Sequence, residues 1–269
     1  MLDIRVENDE LTPKTQNLTP ILEYYRLPLY ILFGVLPSLV WLFYYLKKDL
    51  HPEPKRMILK VFLYGVIITI PVFFIQIGFF EILKQLQSFS LFTSFPIIID
   101  ILKWFVVIAL VEEVLKYLAV RVMVFNSYEL DEPLDIMLYM VVVALGFAAL
   151  ENILYLFSPI DNLSFNTIIT TTIAISFIRF IGATFLHTLC SALLGYFLII
   201  SFFNLKKRLV LTIIGISLAT ILHGLYNFSI ITLKSPINFI IPTIIIIGLA
   251  IFIISKFDKM KNLKSICKI

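Results

Sequence analysis

Charge is what this sequence has least of: Asp, Glu, Lys and Arg make up 15% of its 269 residues, where a soluble domain carries about 25%. Cysteine is nearly absent. The two present, Cys190 inside an apolar run and Cys267 near the end, are too few for a disulfide scaffold, and Cys190 reads as a small buried hydrophobe. Nine glycines and twelve prolines exclude collagen-like and low-complexity chains. The first residues do not combine a basic start, an apolar stretch and a small-residue cleavage site, so no removable signal peptide is expected.

What is abundant is Ile, Leu, Val and Phe in long runs. The chain is 60% hydrophobic with a mean hydropathy of +0.98, a composition that belongs in a lipid bilayer. The formal net charge of +4 does not point to nucleic acid, because the basic residues fall between apolar runs, where they orient the chain. No nucleic-acid partner is expected.

A membrane-crossing helix needs about 20 mostly apolar residues. About seven runs meet that test: 27–46, 57–80, 97–125, 136–157, 177–203, 209–233 and 237–255. Residues 166–175 are Thr-rich and too short to span, and read as an interfacial or re-entrant lead into the fifth helix. The expected fold is all-α, a polytopic transmembrane helical bundle in the cell membrane. Its parts are an extracytoplasmic segment 1–26, a helical catalytic domain 27–255 and a basic cytoplasmic tail 256–269. Lys47, Lys48, Lys55, Arg56, Arg121, Lys206, Lys207, Arg208 and the lysines from Lys256 onward fall on one set of connections, which predicts an outside N-terminus and a cytoplasmic C-terminus. The tail after Ser255 is an anchor attracted to anionic lipid.

A charge at bilayer depth costs roughly 2.5 to 3.5 kcal/mol even on the lenient scale, so each needs a reason. Four of the predicted helices carry such groups: Glu112, Glu113 and Lys116; Glu151 and Asn152; Arg179 and His187; His223 and Asn227. At a rise of 1.5 Å per residue, Glu112 and Glu113 lie about 12 Å from the outer ends, Glu151 about 9 Å, His187 about 12 Å and His223 about 15 Å. Taken singly, a Glu112–Lys116 pair one turn apart or a lone histidine is as well explained by packing. Together, at one level in the outer half of the membrane, they point to one shared site.

These residue types suit a divalent first-row metal, with zinc the expected ion. A catalytic zinc takes three nitrogen or oxygen ligands and leaves a position for water. His187, His223 and Glu151 supply such a set. Glu112 and Glu113 are then the acid–base pair, Asn227 is placed to hold a developing oxyanion, and Lys116, Asn152 and Arg179 support them. The chemistry implied is hydrolysis, most simply of a peptide bond in a membrane-anchored protein. His-Glu-x-x-His and Gly-x-Gly-Asp are both missing, which excludes two other intramembrane protease classes. Gly215-Ile-Ser-Leu218 lacks the final glycine of a rhomboid motif. Intramembrane Glu, Lys and His also build ion relays in transporters, and a polar network can simply hold a non-catalytic membrane factor together, so both alternatives stay open here.

The ordered motifs resemble the PrsW-type intramembrane protease family, related to the prenyl-protein (CAAX) proteases and bacteriocin-processing enzymes. Asp49-Leu-His-Pro-Glu-Pro54 is similar to the family's Asp followed by Pro-Glu-Pro, and Glu112-Glu-Val-Leu-Lys116 to its Glu-Glu-x-x-Lys. Asp131-Glu-Pro133, Asp135, Tyr139, Gly146-Phe147 and Glu151-Asn152 resemble the next block, followed by His187 with Gly195 and His223 with Asn227. Where the CAAX proteases have Phe-x-x-x-His, this chain has Phe147 to Glu151. The resemblance implies membrane proteolysis, in the best-known cases of a membrane-anchored anti-sigma factor on its extracytoplasmic side.

Overall fold

The computed structural model describes residues 18–49, 51–157 and 165–260. Among them the regular structure is entirely helical: α1 (Leu18–Leu46), α2 (Lys55–Leu86), the short α3 (Ser90–Ser94) and α4 (Pro96–Ile101), a π-helix (Leu102–Leu110), α5 (Val111–Met123), α6 (Pro133–Leu156), α7 (Phe165–Ile181), α8 (Ala183–Phe203), a 3₁₀ turn (Leu205–Lys207), α9 (Arg208–Thr232) and α10 (Ile237–Met260). Six helical stretches are long and apolar enough to cross a membrane. The further stretch expected at 97–125 is helical from Pro96 to Met123, passing from α through π and back to α.

Helix α6 is the hub, packed against α8, α2, α1 and α5. Of its most apolar stretch 94% is buried, against 22% for α10. The sequences explain the contrast. Helix α6 is apolar on all sides, the pattern of a helix with no lipid or water face. Helix α10 instead presents Ile240, Ile244, Ile247, Ile251 and Ile254 as an exposed stripe, spaced for one face, as α2 does with Leu59, Leu63, Ile67, Ile70 and Phe74. Such stripes suit lipid, and make the molecule a multi-pass membrane protein.

Close crossing of α2 and α6 depends on two glycines. A Cβ on Gly146 would stand 2.0 Å from the Phe62 carbonyl oxygen, and one on Gly65 would stand 2.2 Å from that of Val143. Small residues let the two backbones touch. On the other side of α6, Gly195 of α8 abuts Met137, so a small residue serves close packing there as well.

The expected boundaries shift in three places. Helix α1 begins at Leu18, inside the segment assigned to 1–26, and α10 continues to Met260, beyond the expected start of the tail. The fifth span, expected from 177, is two helices that break at Gly182. The Tyr226 hydroxyl of α9 fills that break, 2.5 Å from where a Gly182 Cβ would be. The remainder of the terminal segment, residues 1–17, and of the tail, 261–269 with Cys267, lies outside the described residues. Cys190 is fully buried and free.

Candidate active site

Five helices bring the intramembrane polar groups together. Helix α5 contributes Glu112, Glu113 and Lys116 in its first turns, directly after the π-helix. The π-helix lies close against α9, where Gly224 leaves room for Phe105: a Cβ there would be 2.7 Å from the Phe105 ring. π-Helical segments are rare and recur beside functional sites. Helices α6, α7, α8 and α9 supply Glu151 with Asn152, Arg179, His187 and His223. Glu112, Glu113, Lys116, Asn152, Arg179, His187 and His223 are all buried.

The two imidazole rings stand 4.9 Å apart, nearly perpendicular. Each is held through one nitrogen by a carboxylate. His223 Nδ1 lies 3.0 Å from Glu113 Oε1, and His187 Nε2 lies 2.9 Å from Glu151 Oε2. An ionised carboxylate only accepts hydrogen bonds, so these ring nitrogens donate. The Lys116 ammonium, which only donates, approaches His187 Nδ1 to 2.9 Å, so that nitrogen accepts and the ring is the neutral tautomer. The remaining nitrogens, His187 Nδ1 and His223 Nε2, then face Glu112 Oε2 at 3.9 and 4.0 Å.

Glu112 Oε2 is buried and has no hydrogen bond. The other oxygen, Oε1, accepts from Gln76 Nε2 at 3.1 Å. Three acceptor atoms therefore converge, with the Lys116 ammonium beside them, 2.9 Å from His187 Nδ1 and 3.6 Å from Glu112 Oε2. Glu112, His187 and His223 each offer one ligand atom within 4.8 Å of the others. A buried acceptor without a donor is costly, and two imidazoles with a carboxylate are a donor set for a divalent metal. The residues fit the ion.

Glu151, expected as the third ligand, stands at the other nitrogen of His187. Arg179 holds Glu151 Oε2 at 2.8 Å and Asn152 Oδ1 through its Nε at 2.5 Å. Asn152 in turn donates to the Gly34 carbonyl and to Thr184 Oγ1, both at 3.1 Å. Glu113, expected as a catalytic acid or base, is wholly enclosed and ion-paired to Lys116 at 2.8 Å. Lys116 also lies over the Phe147 ring, 4.5 Å from its centroid.

A cavity of about 450 Å³ opens onto this network, lined among others by Glu112, Glu151, Arg179, His187, His223 and Asn227. Glu113, Lys116 and Asn152 lie behind its wall. Asn227 reaches the cavity one turn from His223, and its side chain makes no hydrogen bond to another described residue. Gln76 escaped the sequence reading. It was detectable by the cost argument used for the other groups, since residues 65–80 of α2 contain only Thr69 and Gln76 as polar side chains.

The second set of motifs folds elsewhere. The Tyr139 hydroxyl donates to Glu53 Oε2 at 2.5 Å, His51 lies 2.6 Å from Glu132, and Glu132 and Asp135 form a reciprocal cap at the start of α6. These contacts tie the Pro-Glu-Pro loop to α6, one turn or more from its buried middle. Burial, with Asp49 and Asp131 adding their charge, holds the Glu53 carboxyl above its ordinary range despite the Tyr139 bond.

Comparison with known proteins agrees with the motif order. A family model described as PrsW family intramembrane metalloprotease matches residues 53–255. The chain is 32% identical over 196 residues to a protease PrsW of Geobacillus kaustophilus (strain HTA426), covering 72% of this chain and 76% of that protein. It is 30% identical over 197 residues to protease PrsW of Oceanobacillus iheyensis (strain DSM 14371 / CIP 107618 / JCM 11309 / KCTC 3954 / HTE831), covering 72% and 80%. With protease PrsW of Bacillus subtilis (strain 168) it shares 28% over 211 residues, covering 78% and 86%. No solved structure matches. The chain therefore belongs to the PrsW family of intramembrane metalloproteases, and is a multi-pass membrane peptidase.

Proposed function

We propose that the protein cleaves a peptide bond of a membrane-anchored protein in the cavity above Glu112, His187 and His223, with a divalent ion of the zinc type held by those three residues. The observation that carries the reading is the convergence of His187 Nδ1 and His223 Nε2 on a buried Glu112 oxygen that no hydrogen bond satisfies. This assigns Glu112 the ligand place first given to Glu151. An ion bound there supplies Lewis acidity and lowers the pKa of water toward 7.

The chain's own groups do the rest. Glu113 and Glu151 hold the two imidazoles in the orientation that turns a lone pair toward Glu112, the usual outer-shell role of a carboxylate at a histidine ligand. Gln76 engages Glu112 Oε1 and so leaves Oε2 for the site. Glu151 lines the cavity, and Arg179 and His187 both bind its Oε2, which leaves Oε1 to take the proton of the attacking water. The Asn227 amide donates to the oxygen on which negative charge develops. The Lys116 ammonium offsets the two adjacent carboxylates and is not a proton donor to substrate.

Placement in the membrane follows the bundle. The ends of α1, α5, α8 and α10 and the starts of α2 and α9 carry Lys47, Lys48, Lys55, Arg56, Arg121, Lys206, Lys207, Arg208, Lys256 and Lys259. These contacts bring that end together: Phe125 meets Phe202 and Tyr45 meets Phe257. Basic residues favour the cytoplasmic side, so this end is inside and Pro96–Met123 completes seven spans. Counted from the basic end at 1.5 Å per residue, His223 lies about 23 Å and Glu151 about 27 Å away. In a hydrocarbon core of about 30 Å the site is then nearer the extracytoplasmic side. The narrowest substrate the family resemblance suggests is an anti-sigma factor.

The test is reconstitution with a single-span membrane peptide. Cleavage is expected to stop on metal chelation, to return with added zinc, and to be lost in Glu112→Ala, His187→Ala and His223→Ala. Cleavage that survives exhaustive chelation refutes the metal reading.

A further inference from the structure

At the basic end of the bundle a second cavity, of about 590 Å³, lies between the end of α5, the end of α8 and the start of α9. Arg121, Lys206 and Arg208 line it, with Asn126, Ser201 and Tyr117 as further polar groups, and no Asp or Glu is among its lining residues. None of the three cations makes a salt bridge with a described carboxylate, although the exposed Lys84 elsewhere in the chain does pair with Glu81, at 2.5 Å. The Arg208 guanidinium is instead held over the Phe202 ring at 4.6 Å, which fixes its position beside the cavity.

Two further features point the same way. The first turn of α9 faces this space through Arg208, Leu209 and Thr212, and its N-cap residue Lys207 provides no side-chain cap. The Arg208 N–H is taken by the Leu205 carbonyl of the preceding turn, but no side chain caps the rest of the first turn, so this 25-residue helix turns the positive end of its dipole to whatever binds there. Leu205 and Leu209 rim the cavity and are each 73% exposed, continuous with the exposed Val210 and Ile213 of α9. The polar floor therefore opens onto an apolar surface of the membrane-spanning bundle.

We propose that this cavity binds a phosphate-bearing anion, and that the ligand is the headgroup of an anionic phospholipid whose chains lie along the apolar rim. Arginine and lysine supply charge and donors to phosphate oxygens, the uncapped helix start adds backbone donors, and the leucine rim gives acyl chains a surface that free phosphate does not use. The site is independent of the metal reading. It stands more than one turn of α5 from Glu112, and its cations touch none of the residues assigned to catalysis.

Thermal unfolding of the full chain in nanodiscs tests this, with phosphatidylglycerol titrated into phosphatidylcholine. The unfolding midpoint should rise with phosphatidylglycerol, and the apparent affinity should fall about fivefold for each of Arg121→Gln, Lys206→Gln and Arg208→Gln, since a basic residue near an anionic surface contributes about 1 kcal/mol. In pure phosphatidylcholine these variants should unfold like the parent, because all three side chains are exposed. Lys47→Gln with Lys48→Gln, at the same end but outside the cavity, should keep the full response. Equal responses in both sets of variants, or no response in the parent chain, would overturn the proposal. Inorganic phosphate added in phosphatidylcholine separates the two sources of the anion: the lipid assignment requires a weaker shift than phosphatidylglycerol gives, and an equal shift overturns it in favour of soluble phosphate.

Discussion

Glu112 and Glu113 are adjacent, but their surroundings predict that removing their charges has unequal consequences. Glu113 is 0% exposed and sits between Lys116 Nζ at 2.8 Å and His223 Nδ1 at 3.0 Å. Glu113→Gln leaves Lys116 a buried ammonium whose nearest carboxylate is Glu112 at 3.6 Å; the amide oxygen can still accept from both donors, which share Oε1, but it carries no charge to offset the ammonium. Breaking a buried pair by removing one partner costs about 3 to 5 kcal/mol; with Glu112 still near, the lower end applies, about 3 kcal/mol. Glu112→Gln retains an acceptor for Gln76 and loses only the long contact to Lys116, so about 1 kcal/mol is expected, the size of a net hydrogen bond. Reversible unfolding in mixed micelles should therefore separate the variants by about 2 kcal/mol, while peptide cleavage is nearly abolished in both. Glu113→Gln combined with Lys116→Met should recover most of the stability, since replacing both partners of a buried pair is often neutral. Equal stability of the two single variants, or no recovery in the double variant, refutes the assignment of Lys116 to Glu113.

Other consequences follow from particular contacts. Gly146→Ala should destabilise by about 1 to 3 kcal/mol in the same assay, because its Cβ meets backbone at 2.0 Å; Gly78→Ala, with nothing within 4 Å, should be neutral or stabilising, and the reverse order would contradict the α2–α6 crossing. Gln76→Leu should weaken metal affinity about 10- to 100-fold, the usual effect of losing an outer-shell partner, with the unfolding midpoint nearly unchanged; unaltered affinity would remove Gln76 from the site. At the basic end, the folded Glu53 carboxyl holds its proton to a higher pH than the unfolded one. The folded state then binds more protons in that window, so this group's contribution to stability is full below the ordinary carboxylate range and is lost as pH rises from there through the raised folded value. Glu53→Gln should flatten that part of the stability profile, and a profile identical to the parent's would refute the effect.

The sequence made the site's level legible and left its angles hidden. Hydropathy and the cost of charge in lipid were enough to place Glu112, Glu151, His187 and His223 at one depth, because depth along a helix follows from residue number alone. Which carboxylate faces which imidazole depends on how each helix is rotated and crossed, and that is set by packing such as the Gly65–Gly146 contact. Hence the proposed site gives Glu112 the ligand place that the sequence reading expected of Glu151. Gln76 was missed for a simpler reason: it is a neutral amide with no titratable residue beside it on its span, whereas Asn152 follows Glu151 and Asn227 lies one turn from His223. The break at Gly182 was hidden because it falls inside the mostly apolar run expected at 177–203, and hydropathy does not report a turn whose space is filled by Tyr226 from another helix.

The most direct test of the central claim is the metal content of the purified chain beside that of Glu112→Ala, Glu151→Ala and His223→Ala. The account predicts one equivalent of a divalent first-row metal in the parent chain, loss of most of it in Glu112→Ala and His223→Ala, and substantial retention in Glu151→Ala, whose carboxylate orients His187 rather than binding the ion. A parent chain that cleaves its substrate without metal, or a Glu112→Ala variant that holds metal as tightly as the parent, would contradict it.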